Sequence, residues 1–367
     1  MDTEADRYHR WRERLRDIDD VNQRRVLKTL TPASATTVHT NLGTLLLACS
    51  NDYLGLASDP RLHDAARGGG SGSSRLISGS RPAHQALEDA VAELYQRPAL
   101  TFVSGYQANL AVFSTACEAG QRIASDERNH ASIIDGLRLS RADKQIVEHL
   151  QPQAIPRDVD LIAVEGLFSM DGDCPVLQDY PTAPLLAVDE AHAFGALGPE
   201  GRGVAAAQMC LPDILIGTFG KACGASGAFV SAPKSFIDLL INKGRSFIYT
   251  TATPEPMARM ALKGLELART ADAQRDALAQ RARQLRDGLH QLGWNTLGAH
   301  HIIPVLAGGR AMELGQRLLD KGVLAPAIRY PTVALGHERI RLTVSAAHTP
   351  EQIEQILEAF GDRAQWN

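Results

Sequence analysis

Short apolar runs alternate with helical repeats along this chain from about residue 100. The runs cover 100–103, 161–164, 185–188, 214–216 and 228–230. Continuous, β-branched runs of this length suit strands buried on both faces, so they predict parallel strands covered by helices. Their alternation with helical stretches predicts a doubly wound α/β domain. After Pro256 the pattern changes. Leu278, Ala282, Leu285, Leu289 and Leu292 recur at alternating spacings of four and three residues, which predicts one long helix with a single buried face. Strand-like 302–306 and the alternating Ile340, Leu342 and Val344 follow. TPEQ at 349–352 predicts a last helix opened by an N-cap threonine, a first-turn proline and a capping-box glutamine. Near the start, Tyr8, Trp11, Leu15, Ile18 and Val21 recur at helical spacing inside a basic stretch from Arg7 to Lys28. That predicts an amphipathic helix docked on the body. The expected layout is a helical segment over 1–45, a large domain over 46–254 and a smaller α+β domain over 255–367.

Composition narrows the class. A chain of 367 residues has room for one large and one smaller domain. Its net charge of −4 gives no reason to expect nucleic-acid or anionic-membrane partners. The five cysteines (Cys49, Cys117, Cys174, Cys210, Cys223) are scattered and never form a CxxC pair, which argues against a disulfide framework and a structural zinc site. The opening residues MDTEADRYHRW hold no apolar stretch, and no run approaches the length of a membrane span. A reduced, cytoplasmic enzyme is expected.

Ligands of open α/β sheets bind beyond the carboxyl ends of the strands, so the residues that follow each run test for a site. They are Ser104, Gly105 and Tyr106; EGLFS at 165–169; DEAH at 189–192; and TFGK at 218–221. Lys221 lies in GTFGKACG (217–224), where small residues leave room for a bulky group near the backbone. A lysine that forms a Schiff base needs a site favouring its neutral amine. Pyridoxal 5'-phosphate (PLP) chemistry also needs an acid against the pyridine nitrogen. Asp189 is placed for that part, and His192 for the ring's phenolic oxygen. Gly105 and Tyr106 fall where a strand hands over to a helix start, a natural phosphate seat, with Ser169 and Thr218 as further hydroxyl donors. DEAH is also a helicase-type box, but no GxxxxGK[ST] loop accompanies it. A metal held by Asp189, His192 and His130 would leave the lysine and the glycine turns without a part.

These residues lie in ordered motifs: NDYLGL (51–56), SGSSRLISG (71–79), NHASIIDG (129–136), GLFSMDGD (166–173), DEAH, TFGK and RLTVSAAH (341–348). Together they resemble the α-oxoamine synthases, PLP enzymes of the aspartate-aminotransferase fold (fold type I), over nearly the whole chain. The resemblance implies a mostly parallel central sheet in the large domain and a smaller C-terminal α+β domain. It implies that Lys221 binds the cofactor and then moves the substrate's α-proton, that Asp189 pairs with the pyridine nitrogen and His192 with the phenolic oxygen, and that His130 stacks on the ring. Gly105, Tyr106, Ser169 and Thr218 join the cofactor site. Thr251 reaches the phosphate of the partner subunit in a homodimer with shared sites. Asn51 and Arg341 hold the substrate carboxylate, for which a planar guanidinium is apt; Arg24 and Thr332 match further substrate positions. Arg339 shares the strand face of Arg341, so either arginine could be a surface charge.

Members of the family condense an amino acid with an acyl thioester and expel CO2. The forms SGSSRLISGS, FSMDGD and FIYTTA look most like the members that join L-alanine to a pimeloyl thioester, whereas NHASIIDG is shared with glycine C-acetyltransferase. DEAH has Asp-Glu where Asp-Asp is frequent. Residues 149–161 and 177–185 are short and proline-rich where the family often has a helix, so both CoA and acyl-carrier protein remain open as carriers. A non-catalytic PLP-fold subunit would be expected to lack Lys221 or Asp189, and both are present.

Overall fold

The computed structural model describes residues 7–21 and 23–366. Fourteen strands are seen among them. β1 (Thr31–Pro32), β2 (Thr37–Thr40) and β3 (Gly43–Leu47) come first. The central strands are β4 (Ala99–Phe102), β5 (Arg122–Asp126), β6 (Asp143–Val147), β7 (Leu161–Glu165), β8 (Leu185–Asp189), β9 (Ile214–Thr218) and β10 (Ala228–Ser231). β11 (Ile302–Leu306), β12 (Val323–Leu324), β13 (Ala327–Ile328) and β14 (Arg339–Thr343) complete the set.

The central sheet has the order β4-β10-β9-β8-β7-β5-β6. Every apolar run became a strand, and β7, β9 and β10 are buried along their whole length. One expectation needs correction: β10 runs antiparallel to both β4 and β9. Periodicity reports burial on both faces and is blind to direction. The other six strands point the same way, so their carboxyl ends open on one edge.

Helices Gly105–Thr115, Ala131–Leu139 and Lys234–Lys243 cover one face through Val112, Phe113, Ile133 and Leu240. On the other face Leu87, Val91, Phe219, Phe229 and Leu265 start a core that continues into the C-terminal part through Leu285, Ile303, Leu342, Ile353 and Phe360. The proline-rich segments carry only 3-10 turns, Pro152–Ala154 and Leu177–Asp179, over a separate cluster that includes Ile162, Phe168 and Tyr180.

The long helix is Asp272–Gln291, with Leu278, Ala282, Leu285 and Leu289 buried as expected; Leu292 follows as its C-cap. Thr349 caps the last helix, Pro350–Phe360. Its hydroxyl accepts from Gln352 N at 3.2 Å, and Gln352 Oε1 accepts from Thr349 N at 3.1 Å.

The N-terminal region departs from the expectation in two ways. Its helix is His9–Asp20, with no buried residue and Trp11 63% exposed. In this single chain it therefore does not dock its apolar stripe on the body. Residues 31–47 carry β1, β2 and β3 rather than helix, and β3 pairs in parallel with β12 (Leu46 opposite Val323, Leu47 opposite Leu324). The boundary drawn at residue 46 falls inside β3.

Leu285 is fully buried in the shared core. Leu285→Ala is expected to cost ~2–5 kcal/mol of stability, read as a lower urea midpoint with an unchanged slope.

Candidate active site

Strand ends place the chemistry. Glu165 and Asp189 are the last residues of β7 and β8 and stand opposite each other in the ladder. Thr218 ends β9, three residues before Lys221. His130 caps the helix Ala131–Leu139 after β5, and Gly105 opens the helix after β4.

Two fixed donors hold the buried Asp189 carboxylate. Asn109 Nδ2 donates to its Oδ2 at 2.7 Å, and Ala191 N donates to its Oδ1 at 2.9 Å. Asn109 also donates to Ser132 Oγ at 2.9 Å, and Ser132 Oγ lies 2.7 Å from His130 Nδ1. The backbone N–H of Ser132 donates to that same Nδ1 at 3.2 Å, so the neutral His130 ring carries its proton on Nε2. Glu165 Oε1 accepts the His130 backbone N–H at 2.6 Å. Burial, reinforced by the neighbouring Asp189 charge, pushes the Glu165 carboxyl well above its usual range. Burial likewise draws the Lys221 amine down to about 8, against the opposing pull of Asp189 and Glu165. An amine there is neutral often enough to attack a carbonyl carbon.

A second chain of contacts runs from β14. Arg341 donates through Nε to Ser169 O, and through Nη1 and Nη2 to Asn51 Oδ1, each at 3.4 Å. Asn51 Oδ1 also accepts from Tyr53 Oη at 3.0 Å, and Tyr53 Oη lies 2.7 Å from His192 Nδ1. Arg339 differs from Arg341: it donates to Asp171 at 2.8 Å and to Met170 O at 3.0 Å. Neither is a surface charge. Arg339 is neutralised, whereas Arg341, 8% exposed, has no carboxylate partner among the described residues.

The Ser169 turn is pinned from behind. His149 bridges Asp126 Oδ1 (2.9 Å) and Asp173 Oδ2 (3.0 Å), edge-on to Phe168 at 4.5 Å. The Glu of DEAH is engaged elsewhere: Glu190 accepts from Val204 N (3.0 Å) and Ala205 N (2.7 Å), capping the short helix Gly203–Ala207.

Most of the sequence candidates thus converge. Lys221, Asp189, His130, His192 and Arg341 feel one another's charges, and Tyr106 meets His130 edge-on at 6.3 Å, its hydroxyl donating to Asp135. Thr218 donates its hydroxyl proton to Gly227 O at 2.9 Å. Ser169 enters through its carbonyl. Three candidates lie apart in this chain. Thr251 is exposed, Arg24 pairs with Asp19 at 2.9 Å, and Thr332 shares a cleft of about 740 Å³ with Arg24, Arg25 and Arg329.

These residues fit PLP. A Cβ added at Gly105 would meet nothing nearer than Thr218 Cβ at 4.0 Å. By helix geometry the N–H groups of Gly105 and Tyr106 have no intrahelical acceptor, which suits a phosphate. Asp189 would supply the acid, Lys221 the amine and His130 a flat ring.

Comparison with known proteins agrees. The family model "Aminotransferase class I and II" matches residues 44–360. The chain belongs to this family, in its α-oxoamine synthase branch. It is similar to the 8-amino-7-oxononanoate synthase of Pseudomonas entomophila, 41% identical over 87% of this chain and 88% of the relative. It is also similar to that of Hydrogenovibrio crunogenus, 41% identical over 85% of each. Among solved structures, Sphingomonas wittichii serine palmitoyltransferase superposes with a TM-score of 0.88 at 28% identity, covering 97% of both chains. The 8-amino-7-oxononanoate synthase of Francisella tularensis gives 0.76 at 28% identity, over 88% of this chain and 98% of that one. This α-oxoamine synthase is therefore a PLP-dependent C-acyltransferase of fold type I.

Sequence reasoning gave no part to Asn109, Ser132 or Tyr53, and saw Glu165 only as a strand end. Asn109 and Ser132 sit inside helices, where polar residues normally face water. Tyr53 and Ser132 lie inside the NDYLGL and NHASIIDG motifs, which was the available signal.

Two pH dependences follow. PLP loading of cofactor-free protein is expected to quicken as pH rises through about 8, where the Lys221 amine becomes neutral; the growth of visible absorbance after mixing measures it. For His149, burial lowers the pKa but the Asp126 and Asp173 hydrogen bonds prevail and raise it to about 9, from an ordinary 6.5. Its stabilisation is fully present below pH 6.5 and is lost as pH rises through about 9. Urea midpoints from pH 6 to 10 should therefore fall less in His149→Phe than in the unsubstituted protein.

Proposed function

We propose that this chain joins L-alanine to a pimeloyl thioester, CoA- or acyl-carrier-bound, and releases CO2, the free thiol and 8-amino-7-oxononanoate for biotin synthesis. The observation that carries the reading is Arg341: a buried guanidinium beside Lys221 with no anionic partner among the described residues. Leaving such a charge unpaired is costly, and a substrate carboxylate answers it with two parallel bonds. Asn51 completes that seat.

PLP supplies an electron sink for a carbanion at the amino acid's α-carbon. Around it, Lys221 takes the α-proton and returns one to the product. Asp189, held by Asn109 and Ala191, would keep the pyridine nitrogen protonated. His130, clamped between Glu165 and Ser132, would cover a face of the ring. Gly105 and Tyr106 N–H groups would hold the phosphate. The cleft carrying Arg24, Arg25, Arg329 and Thr332 offers cationic groups to the free carboxylate of a pimeloyl chain.

We read the assembly as a homodimer in the cytoplasm. The 71–79 loop and Thr253 are bonded through Ser71 Oγ at 2.6 Å. Their neighbours Ile77 (80% exposed) and Tyr249 (72%) form an apolar surface next to Thr251, suited to a partner whose phosphate Thr251 would reach. The five cysteines are all free, which suits a reducing compartment.

Thiol release from pimeloyl-CoA by the PLP-loaded protein tests the substrate. Release that depends on L-alanine, exceeds the glycine rate and disappears with acetyl-CoA is expected. Equal turnover of glycine with acetyl-CoA would overturn the reading in favour of a sibling synthase. Arg341→Leu should lower kcat/KM for L-alanine by roughly 30- to 5000-fold, corresponding to ~2–5 kcal/mol, while the visible absorbance of bound PLP persists.

A further inference from the structure

Two arginines of β14 grip one turn. Arg341 donates through Nε to Ser169 O, and Arg339 donates to Met170 O at 3.0 Å and to Asp171 Oδ1 at 2.8 Å. Residues 169–171, in the turn that follows β7, thus meet alternate residues of the strand. The turn is closed on itself, because Phe168 N donates to Asp173 O and Gly172 N to Phe168 O, each at 2.9 Å. It is also wedged against β11: Gly172 has φ +69°, and a Cβ there would stand 2.4 Å from Ile302 O. Asp171 is buried and takes a second cation, Arg128 Nη1, at 3.0 Å. Neither Asp171 nor Arg339 has a part in the chemistry above.

A guanidinium can grip a carboxylate along two kinds of edge, the Nη1/Nη2 end or the side made by Nε and one Nη. Ser169 O takes the Nε–H of Arg341, which closes the side edge. The end carries Asn51 Oδ1, one oxygen shared between two donors at 3.4 Å each. A carboxylate brings two oxygens and shorter bonds, so it displaces that contact. Which edge stays open therefore depends on where the Ser169 carbonyl stands, and Asp171 fixes the turn that carries it. Arg339 lies two residues away on the same strand face, roughly 7 Å along β14. Left unpaired, it would be a second buried cation and a rival seat for the carboxylate. Asp171 removes the rival and anchors the turn with one ion pair.

We propose that Asp171 is a positioning residue for the substrate carboxylate: by clasping Arg339 it sets the Ser169 carbonyl on Arg341 Nε and turns the Nη1/Nη2 end of Arg341 to the substrate. The proposal rests on the reading of Arg341 as the carboxylate seat. It assigns Arg339 to aiming its neighbour and not to binding.

The test is the change in visible absorbance when PLP-loaded protein is titrated with L-alanine or with L-alaninol, which keeps the amine and methyl group but has no carboxylate. The ratio of the two dissociation constants reads the carboxylate seat, because damage to the cofactor or to Lys221 weakens both ligands together. Asp171→Asn, which keeps an acceptor and removes the charge, is expected to cut the preference for L-alanine roughly tenfold, as in other coupled networks. L-Alaninol should bind as it does to the unsubstituted protein. Exchanging a buried ion pair for apolar side chains is often neutral for stability, so Asp171→Leu combined with Arg339→Leu separates folding from aim. That double variant is expected to fold and still lose the preference. An unchanged preference in either variant, or equal weakening of both ligands, overturns the clasp alone. Arg341→Leu checks the seat itself: if the preference for L-alanine survives there, the reading of Arg341 falls and this inference with it.

Discussion

Burying the Asp189 carboxylate at the end of β8 costs several kcal/mol unless the surroundings answer its charge, and much of the pocket is that answer. The Asn109 side-chain amide and the Ala191 backbone N–H satisfy its oxygens. Burial, with the Asp189 charge beside it, drives Glu165 toward the neutral acid, and the same negative charge limits how far burial can lower the Lys221 amine. A protonated pyridine ring would bring a counter-charge to it. The parallel strands make the arrangement possible, because β5, β7, β8 and β9 all deliver their last residues to one edge.

The paired arginines of β14 show the same logic with the sign reversed. Arg339 and Arg341 are both buried on one short strand. Asp171 meets the first, and only a carbonyl and an amide oxygen meet the second. That contrast between two neighbouring guanidiniums is what singles out Arg341 for the proposed carboxylate seat.

Much of this was legible in the residues. The runs that became β7, β8 and β9 were continuous and apolar because both faces are covered, so periodicity revealed them, and with them the strand-end candidates. β5 (RIASD) and β6 (DKQIV) went unseen because polar side chains interrupt them: β6 is an edge strand with only Val147 buried, and β5 ends on Asp126, used as an acceptor by His149 and Leu150. No local pattern could distinguish Arg339 from Arg341, since the difference is made by Asp171, far away in sequence. The docking of the first helix was misjudged for a related reason. An amphipathic stripe shows that a helix has a face to cover, and says nothing about which chain covers it. The pairing of β3 with β12 likewise depends on the whole fold.

That pairing has a consequence for how the chain is made. Residues 43–47 leave the ribosome early, but their parallel neighbour, Val323 and Leu324, arrives when synthesis is nearly over. For most of translation the hairpin of β2 and β3 carries an open edge and the bare side chains of Leu45 and Leu46, the kind of surface on which nascent chains associate wrongly. Asn51 and Tyr53 follow directly after this strand, and their partner Arg341 is later still. The proposed substrate seat is therefore among the last parts of the molecule to exist, and a chain cut short before β14 would lack Arg341 there, however well its central sheet has formed.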